Sequence, residues 1–364
     1  VNEDLLWLYI NKSEEAVMWL TELGGDEVEL KLYGGYYKGS EFTEYAGTHY
    51  LNKKPGSHYK NFGAFLYCEI LQEVMLKGGS QIIRKTRAEQ LEVKGGRVTG
   101  FIAKGEDGQY RRFTGRKAVI LATGDIGGDP EMLVKYCPLA LKPKKNGYFP
   151  AGLNTGDGHK MAYWVGAAME DPSWALSLHL ISYAMYSFFF LHVNRLGQRF
   201  MNEDTWSQAK AIRILMQPQW GDGDWAFSVF DSKWFEDIKT RVHLAGGQFT
   251  EPLMAEYGQP WDENNGVKEA IEAYIKKGAC LVADTLEELA DKMEVPVDAF
   301  VATVKRYNEL YKLGVDLDYG KRRELLTSID QPPYYALKFG PAILNVFGGV
   351  LTDINMRVLD KNHQ

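Results

Sequence analysis

A chain of 364 residues, 45% hydrophobic and 25% charged, is long enough for about two domains with sizeable cores. Its 42 Lys and Arg against 48 Asp and Glu leave a net charge of −6, which argues against the concentrated basic face of a nucleic-acid binder. Cys68, Cys137 and Cys280 are widely separated with no C-x-x-C, so no zinc or iron–sulfur site is supported and buried thiols are expected.

In chain order, the residues from Val1 to Leu6 read as a helix, and Ser13 followed by two acids caps a helix with Val17, Leu20 and Leu23 on one side, closed by Gly24-Gly25. Phe62, Phe65, Leu66, Ile70 and Val74 keep helical spacing up to Gly78-Gly79. Short strands follow over 81–84, 86–93, 97–103 and 110–113, with Gly95-Gly96 and Asp107-Gly108 as turns. The run from Ala118 to Ala122 reads as a buried parallel strand that feeds a glycine-rich turn at Thr123-Gly124. Asp129-Pro130-Glu131 then supplies an N-cap, a proline at the first helical position and an early acid.

Asn154-Thr155-Gly156-Asp157-Gly158 opens a second helix over 159–166, either as a ligand-facing backbone or as a tight entry turn capped by Asp157. The stretch from Trp174 to Val193 is largely apolar, but His179, Ser182, Tyr183, Tyr186, Ser187 and His192 interrupt it. Core strands with a pocket wall are expected there rather than a membrane span, which needs about twenty apolar residues. From about Pro172 to Pro341 the character shifts toward aromatics and helices, with Trp206, Trp220, Trp225, Trp234 and Trp261 read mainly as core.

Four motifs in order carry a resemblance: AVILATG at 118–124; NTGDG at 154–158 with Lys160-Met161-Ala162; the segment from His192 to Glu203, including N-R-x-G-x-R-F-x-N-E; and Phe347-Gly348-Gly349 with Thr352-Asp353 and Val358-Leu359-Asp360. Helical blocks at 283–290 and 301–308 follow suit. The chain resembles, over nearly its whole length, the fumarate reductase and succinate dehydrogenase flavoprotein superfamily, which also holds ketosteroid dehydrogenases. That resemblance implies a mixed α/β plus α+β architecture: an incomplete, Rossmann-like FAD-binding domain over 1–171 and 342–364, with a capping domain inserted over 172–341. Crossings near Asp171 and Pro341 would make a hinge. Members begin with a strand and a G-x-G-x-x-G turn. This sequence has neither, so it reads as a fragment of a longer flavoprotein, expected to bind FAD poorly, to show little activity alone and to self-associate.

The resemblance also assigns residues. Ala88, Ala122, Thr123, Gly124, Asn154, Thr155, Gly156, Asp157 and Gly158 would contact FAD, and Gly348-Gly349 would let the backbone approach the flavin ring or substrate. Asp125 stands where the family commonly has glycine, an unfavourable charge beside phosphates unless solvated. Ser207 falls on the family's proton-donating arginine and Asn345 on a histidine that binds a substrate carboxylate; both changes lose cationic character. His179 aligns loosely with a third family histidine, so two of the three family positions depart. Fumarate is therefore not the expected substrate. A less anionic or larger enone-like or aryl-acrylate-like acceptor is, with His179, Tyr183 and Tyr186 as candidate catalytic groups, Tyr334 and Tyr335 as further proton donors, and Arg213 a weak substitute. Arg195 and Arg199 are expected to hold the cap turn through carboxylates such as Glu203. The electron donor would be a protein or carrier encoded elsewhere. The alternative is a noncatalytic binding or assembly subunit that retains the fold.

Overall fold

The computed structural model describes residues 2–32, 49–61, 63–145, 152–180, 189–205, 207–218, 224–241 and 267–363. Helix α1 (Glu3–Gly24) starts at Asn2, whose side-chain oxygen accepts the Asp4 and Leu5 N–H groups at 3.1 and 3.3 Å, and stops at Gly25 with φ 58°. The start expected at Ser13 is instead the middle of this one helix. Its hydroxyl donates back to the Ile10 carbonyl at 3.5 Å, while strong helix formers on both sides carry the helix through.

Strands β1 (Val28–Leu32) and β2 (His49–Lys53) pair antiparallel, and α2 (Gly63–Lys77) buries Leu66 and Ile70 against Val28, Leu51 and Tyr59. Phe62 lies outside the described residues, and Phe65 is exposed, so the buried stripe of α2 is narrower than its spacing implies. A meander of β3 (Thr86–Lys94), β4 (Arg97–Gly105) and β5 (Tyr110–Thr114) follows. Gly95 and Gly96 both take positive φ, as a two-residue hairpin turn requires. Residues 81–84 form no strand.

The segment 118–122 also forms no strand among the described residues, and Ile120 is 86% exposed. The expectation of a buried parallel strand is thus corrected: apolar composition marks a strand's affinity for a sheet, but strand geometry needs hydrogen-bonded neighbours.

Helix α3 (Pro130–Tyr136) begins as read, with the Asp129 carboxylate accepting the Glu131 and Met132 N–H groups at 2.9 and 3.0 Å. Helix α4 (Asp157–Trp164) follows the second glycine turn. Strand β6 (Ala175–Leu180) pairs with the final strand, and β7 (Leu191–Val193) is fully buried. The apolar run of 174–193 thus supplies two strands; residues 181–188 lie outside the described set. No described helix is long and apolar enough to cross a membrane.

Next come α5 (Ser207–Leu215), β8 (Ala226–Asp231), α6 (Trp234–Arg241), α7 (Val267–Lys276), β9 (Cys280–Ala283), α8 (Leu286–Met293), α9 (Val297–Leu313), β10 (Tyr334–Phe339) and β11 (Pro341–Phe347). Strands β7, β8, β10 and β9 form one antiparallel sheet in that order. Along β8, Ala226 and Phe230 face one core and Phe227 and Val229 the other, the period of two that lets a sheet bury both faces. Trp234 is core and Trp225 packs at the edge of the second cluster; Trp206, Trp220 and Trp261 lie outside the described residues. Cys137 and Cys280 are buried, whereas Cys68 is exposed, which corrects the expectation of three buried thiols.

Candidate functional site at the glycine turns and the last strand

Two glycine turns lie against each other, each glycine facing a side chain of the other turn. A Cβ at Gly124, which sits at φ +77°, would stand 2.7 Å from Asn154 Oδ1, and one at Gly158 would stand 2.0 Å from Thr123 Oγ1. Glycine is required at both places. Gly156 occupies the left-handed region at φ 66° and is the residue before α4, which has no side-chain cap. Of the two readings of this turn, the Asp157 cap is absent: one carboxylate oxygen accepts Thr155 Oγ1 at 2.9 Å and the other accepts both Arg87 Nε and Nη2 at 2.9 and 2.7 Å. That pair brings β3, with the half-buried Ala88, to the start of α4. Ala122, Thr123 and Gly124 are exposed beside these turns. Ala88, 122–124 and 154–158 thus converge from three separate stretches of chain.

Asp125 is not a loose charge at this place. One carboxylate oxygen accepts the Gly127 N–H at 3.1 Å and the other accepts the Val346 N–H at 2.6 Å, across 221 residues of chain. Two N–H groups offset the repulsion that its replacement of a glycine raises. Beyond Val346, Gly348 passes so close to Trp174 that a Cβ would stand 2.3 Å from the indole, and a Cβ on Gly349 would stand 2.9 Å from His159 Nε2. The His159 ring lies against this pair of glycines and its buried Nδ1 has no partner; burial, before any other cause, lowers its pKa. Arg87 and His159 were absent from the sequence-level site; His159 directly follows the GDG triplet, the one signal available for it.

The β6–β11 pair carries the other named positions. In its register Asn345 stands opposite Ser177, Phe347 opposite Ala175, and Ala342 opposite His179, so Asn345, Phe347, Ser177 and His179 share one face. Val346 and Leu176 turn to the other face and into the core with Trp174. Asn345 Oδ1 is buried without a hydrogen-bond partner, and Phe347 is 58% exposed. Ser207 opens α5, which packs on β6 and β11, but nothing is described of its side chain. Tyr183 and Tyr186 lie outside the described residues. Tyr334 and Tyr335 lie on β10 within the four-stranded sheet, Tyr335 stacked on Phe230 at 5.4 Å, a packing role.

The N-R-x-G-x-R-F-x-N-E segment is held by a buried charge cluster. Arg199 donates to Glu203 at 2.8 Å twice and to Asp316 at 2.9 and 2.8 Å; Lys321 donates to Tyr307 OH at 2.7 Å and lies 3.4 Å from Glu203. Burial alone would raise the Asp316 carboxyl, yet the Arg199 hydrogen bonds hold it down at about 2. Arg199 makes the pairing with Glu203 that was expected of it, and Arg195 is exposed on the turn. His192, fully buried in the same segment, has no hydrogen-bond partner at either ring nitrogen, and burial, with Lys210 and Lys321 nearby, depresses its pKa strongly.

The model of a FAD-binding domain matches residues 2–364. The chain belongs to that flavoprotein family. FAD is the family's cofactor, and the residues present fit it: glycines where a Cβ has no room, an uncapped helix start and exposed backbone at 122–124. Among curated proteins the chain is similar to the 3-oxosteroid 1-dehydrogenase of Mycolicibacterium smegmatis, 28% identical over 317 residues, covering 78% of this chain and 52% of that protein. It is also 27% identical over 365 residues to the "Probable fumarate reductase Ifc3" of Shewanella frigidimarina, covering 98% and 53%. The chain thus spans about half the length of these relatives. Among solved structures, the open conformation of a flavocytochrome c3 fumarate reductase superposes with a TM-score of 0.68 at 24% identity, covering all of this chain and 57% of that one. That likeness shows the fold: a flavoprotein FAD-binding fold of mixed helices and sheets.

Proposed function

We propose that this chain is the flavin-facing and capping portion of a longer FAD-dependent oxidoreductase that acts on the carbon–carbon double bond of an unsaturated acceptor other than fumarate. Residues 1–171 and 342–364 would form the partial FAD-binding domain and 172–341 the cap. One core gathers Ile126, Met132 and Leu133 with Ile343 and Val346, whereas the two cores around the four-stranded sheet draw their buried members from within 172–341, and that supports the division. When bound, FAD supplies hydride transfer to or from a carbon. Backbone at 122–124 and 154–158, with Ala88, would hold the cofactor, and Gly348-Gly349 would leave room beside it.

One observation carries the substrate reading. Asn345, in place of a cation, presents an amide with a buried, unpartnered oxygen on the face that also bears His179 and the exposed ring of Phe347. A neutral amide donates to a carbonyl through Nδ2 and accepts from a hydroxyl through Oδ1 but gives no ionic clamp for a dicarboxylate, and fumarate, which carries no donor when ionised, leaves the buried Oδ1 unsatisfied. An uncharged aryl or enone acceptor suits that face better than fumarate. His179, on the same face, is the candidate proton donor.

The test uses the full-length gene product. It should purify yellow, and its anaerobically reduced flavin should be reoxidised faster by an aryl-acrylate ester or a cyclic enone than by fumarate, with the electron donor supplied chemically. Faster reoxidation by fumarate refutes the substrate class. Colourless protein that takes up no added FAD favours the noncatalytic subunit.

A further inference from the structure

Among the described residues β11 is paired by β6 on one side and by no strand on the other. On the open side the Ile343 N–H donates to the Lys145 carbonyl at 3.0 Å, and three residues later the Val346 N–H donates to the Asp125 carboxylate at 2.6 Å. The other Asp125 oxygen is fixed by the Gly127 N–H in its own turn, at 3.1 Å, and the Asp125 carbonyl accepts the Gly156 N–H at 3.2 Å. Asp125 is therefore bonded at once to the first glycine turn, to the residue before α4 and to the strand that leads into Gly348-Gly349. A glycine at this position, the residue common in the family, has no side chain to make the long-range bond.

We propose that Asp125 is a positioning residue, whose carboxylate ties β11 to the glycine turn and so sets the backbone of Phe347, Gly348 and Gly349 where the flavin ring and substrate meet. The tie acts two residues before Gly348. It is continued by His159, whose ring lies against the same pair of glycines, its Nε2 filling the space a Cβ on Gly349 would need. Trp174 closes the third side, with its own Nε1 donating to the Glu170 carbonyl at 3.1 Å. The two glycines are thus held from α4, from the turn and from the entry to β6, and Asp125 is the charged member of that set. The inference rests on the flavin reading above; the tie itself does not.

Asp125→Asn keeps the shape but can serve only one of the two N–H groups, and Asp125→Gly restores the common family residue. Thr285→Ala, which removes the N-cap of α8 far from this region, supplies a control for general loss of stability. Wild-type protein is first titrated with FAD in its full-length form. Absence of binding there overturns the flavin reading before any variant is made.

Given binding, amide hydrogen exchange at Val346 in the apoprotein should quicken about tenfold or more in both Asp125 variants, since a charge-assisted bond is lost, and should not change in Thr285→Ala. In the FAD-loaded protein, the flavin's visible circular dichroism and midpoint potential should shift in both Asp125 variants and stay fixed in the control. Unchanged exchange at Val346 refutes the tie. Faster exchange with an unchanged flavin signal makes Asp125 a stability residue only, and overturns its positioning role.

Discussion

At the residue scale, Arg199 separates buried charge from surface charge. Its guanidinium satisfies Glu203 and Asp316, both with fully buried side chains, so Arg199→Leu leaves Asp316 without its cation and Glu203 with Lys321 alone, and should destabilise the fold by about 3–5 kcal/mol in urea titrations. Arg306→Ala, which breaks an exposed pair with Asp318, should leave the urea midpoint nearly unchanged. Asp316 and Asp237 give opposite pH signatures. Asp316 is held at about 2, below its ordinary 3.8, so its contribution is complete above about pH 4 and is lost as pH falls through about 2. Asp237 is pushed up by burial to about 6, despite the Arg241 partner at 2.7 Å; its contribution is complete below pH 3.8 and lost as pH rises through about 6. Asp237→Asn should therefore gain stability over the wild type by up to about 3 kcal/mol at pH 7.5 and little at pH 4, read from paired denaturation curves. Arg199 and Glu203 were legible in the motif, but not their burial. The Arg199–Glu203 pair was expected from the motif that holds both residues, whereas Asp316 reaches Arg199 across 117 residues.

At the element scale, capped and punctuated elements were the readable ones. Asp129-Pro130 starts α3 and Gly95-Gly96 turns the β3–β4 hairpin because those residues act on their immediate neighbours. The segment 118–122 was misread for the converse reason: its strand character depends on partners elsewhere in the chain. With Ile120 open to solvent, an extended apolar segment is a template for association. The isolated 364-residue chain should form concentration-dependent oligomers by sedimentation velocity. Ile120→Lys should shift it toward monomer without lowering its melting temperature, and equal association in both proteins would locate the contact elsewhere.

At the scale of the whole molecule, the antiparallel pair β6–β11 joins the glycine turns to the four-stranded sheet and gathers His179, Asn345 and Phe347 onto one face. If that face selects against dicarboxylates through lost cations, Ser207→Arg combined with Asn345→His in the full-length enzyme should raise kcat/KM for fumarate by about tenfold or more and lower it for the uncharged acceptor. No change in either ratio would remove both positions from the specificity account. The sequence alone determined the family, through four motifs in order, and with it the cofactor and the glycines, because a backbone that must approach a ligand or another turn tolerates no Cβ wherever it is read. Only the tertiary structure decided what Asp125, Arg87 and His159 do. Each acts on a partner distant in the chain, at Val346, Asp157 and Gly348, and such contacts arise from packing, which local propensity and spacing do not encode.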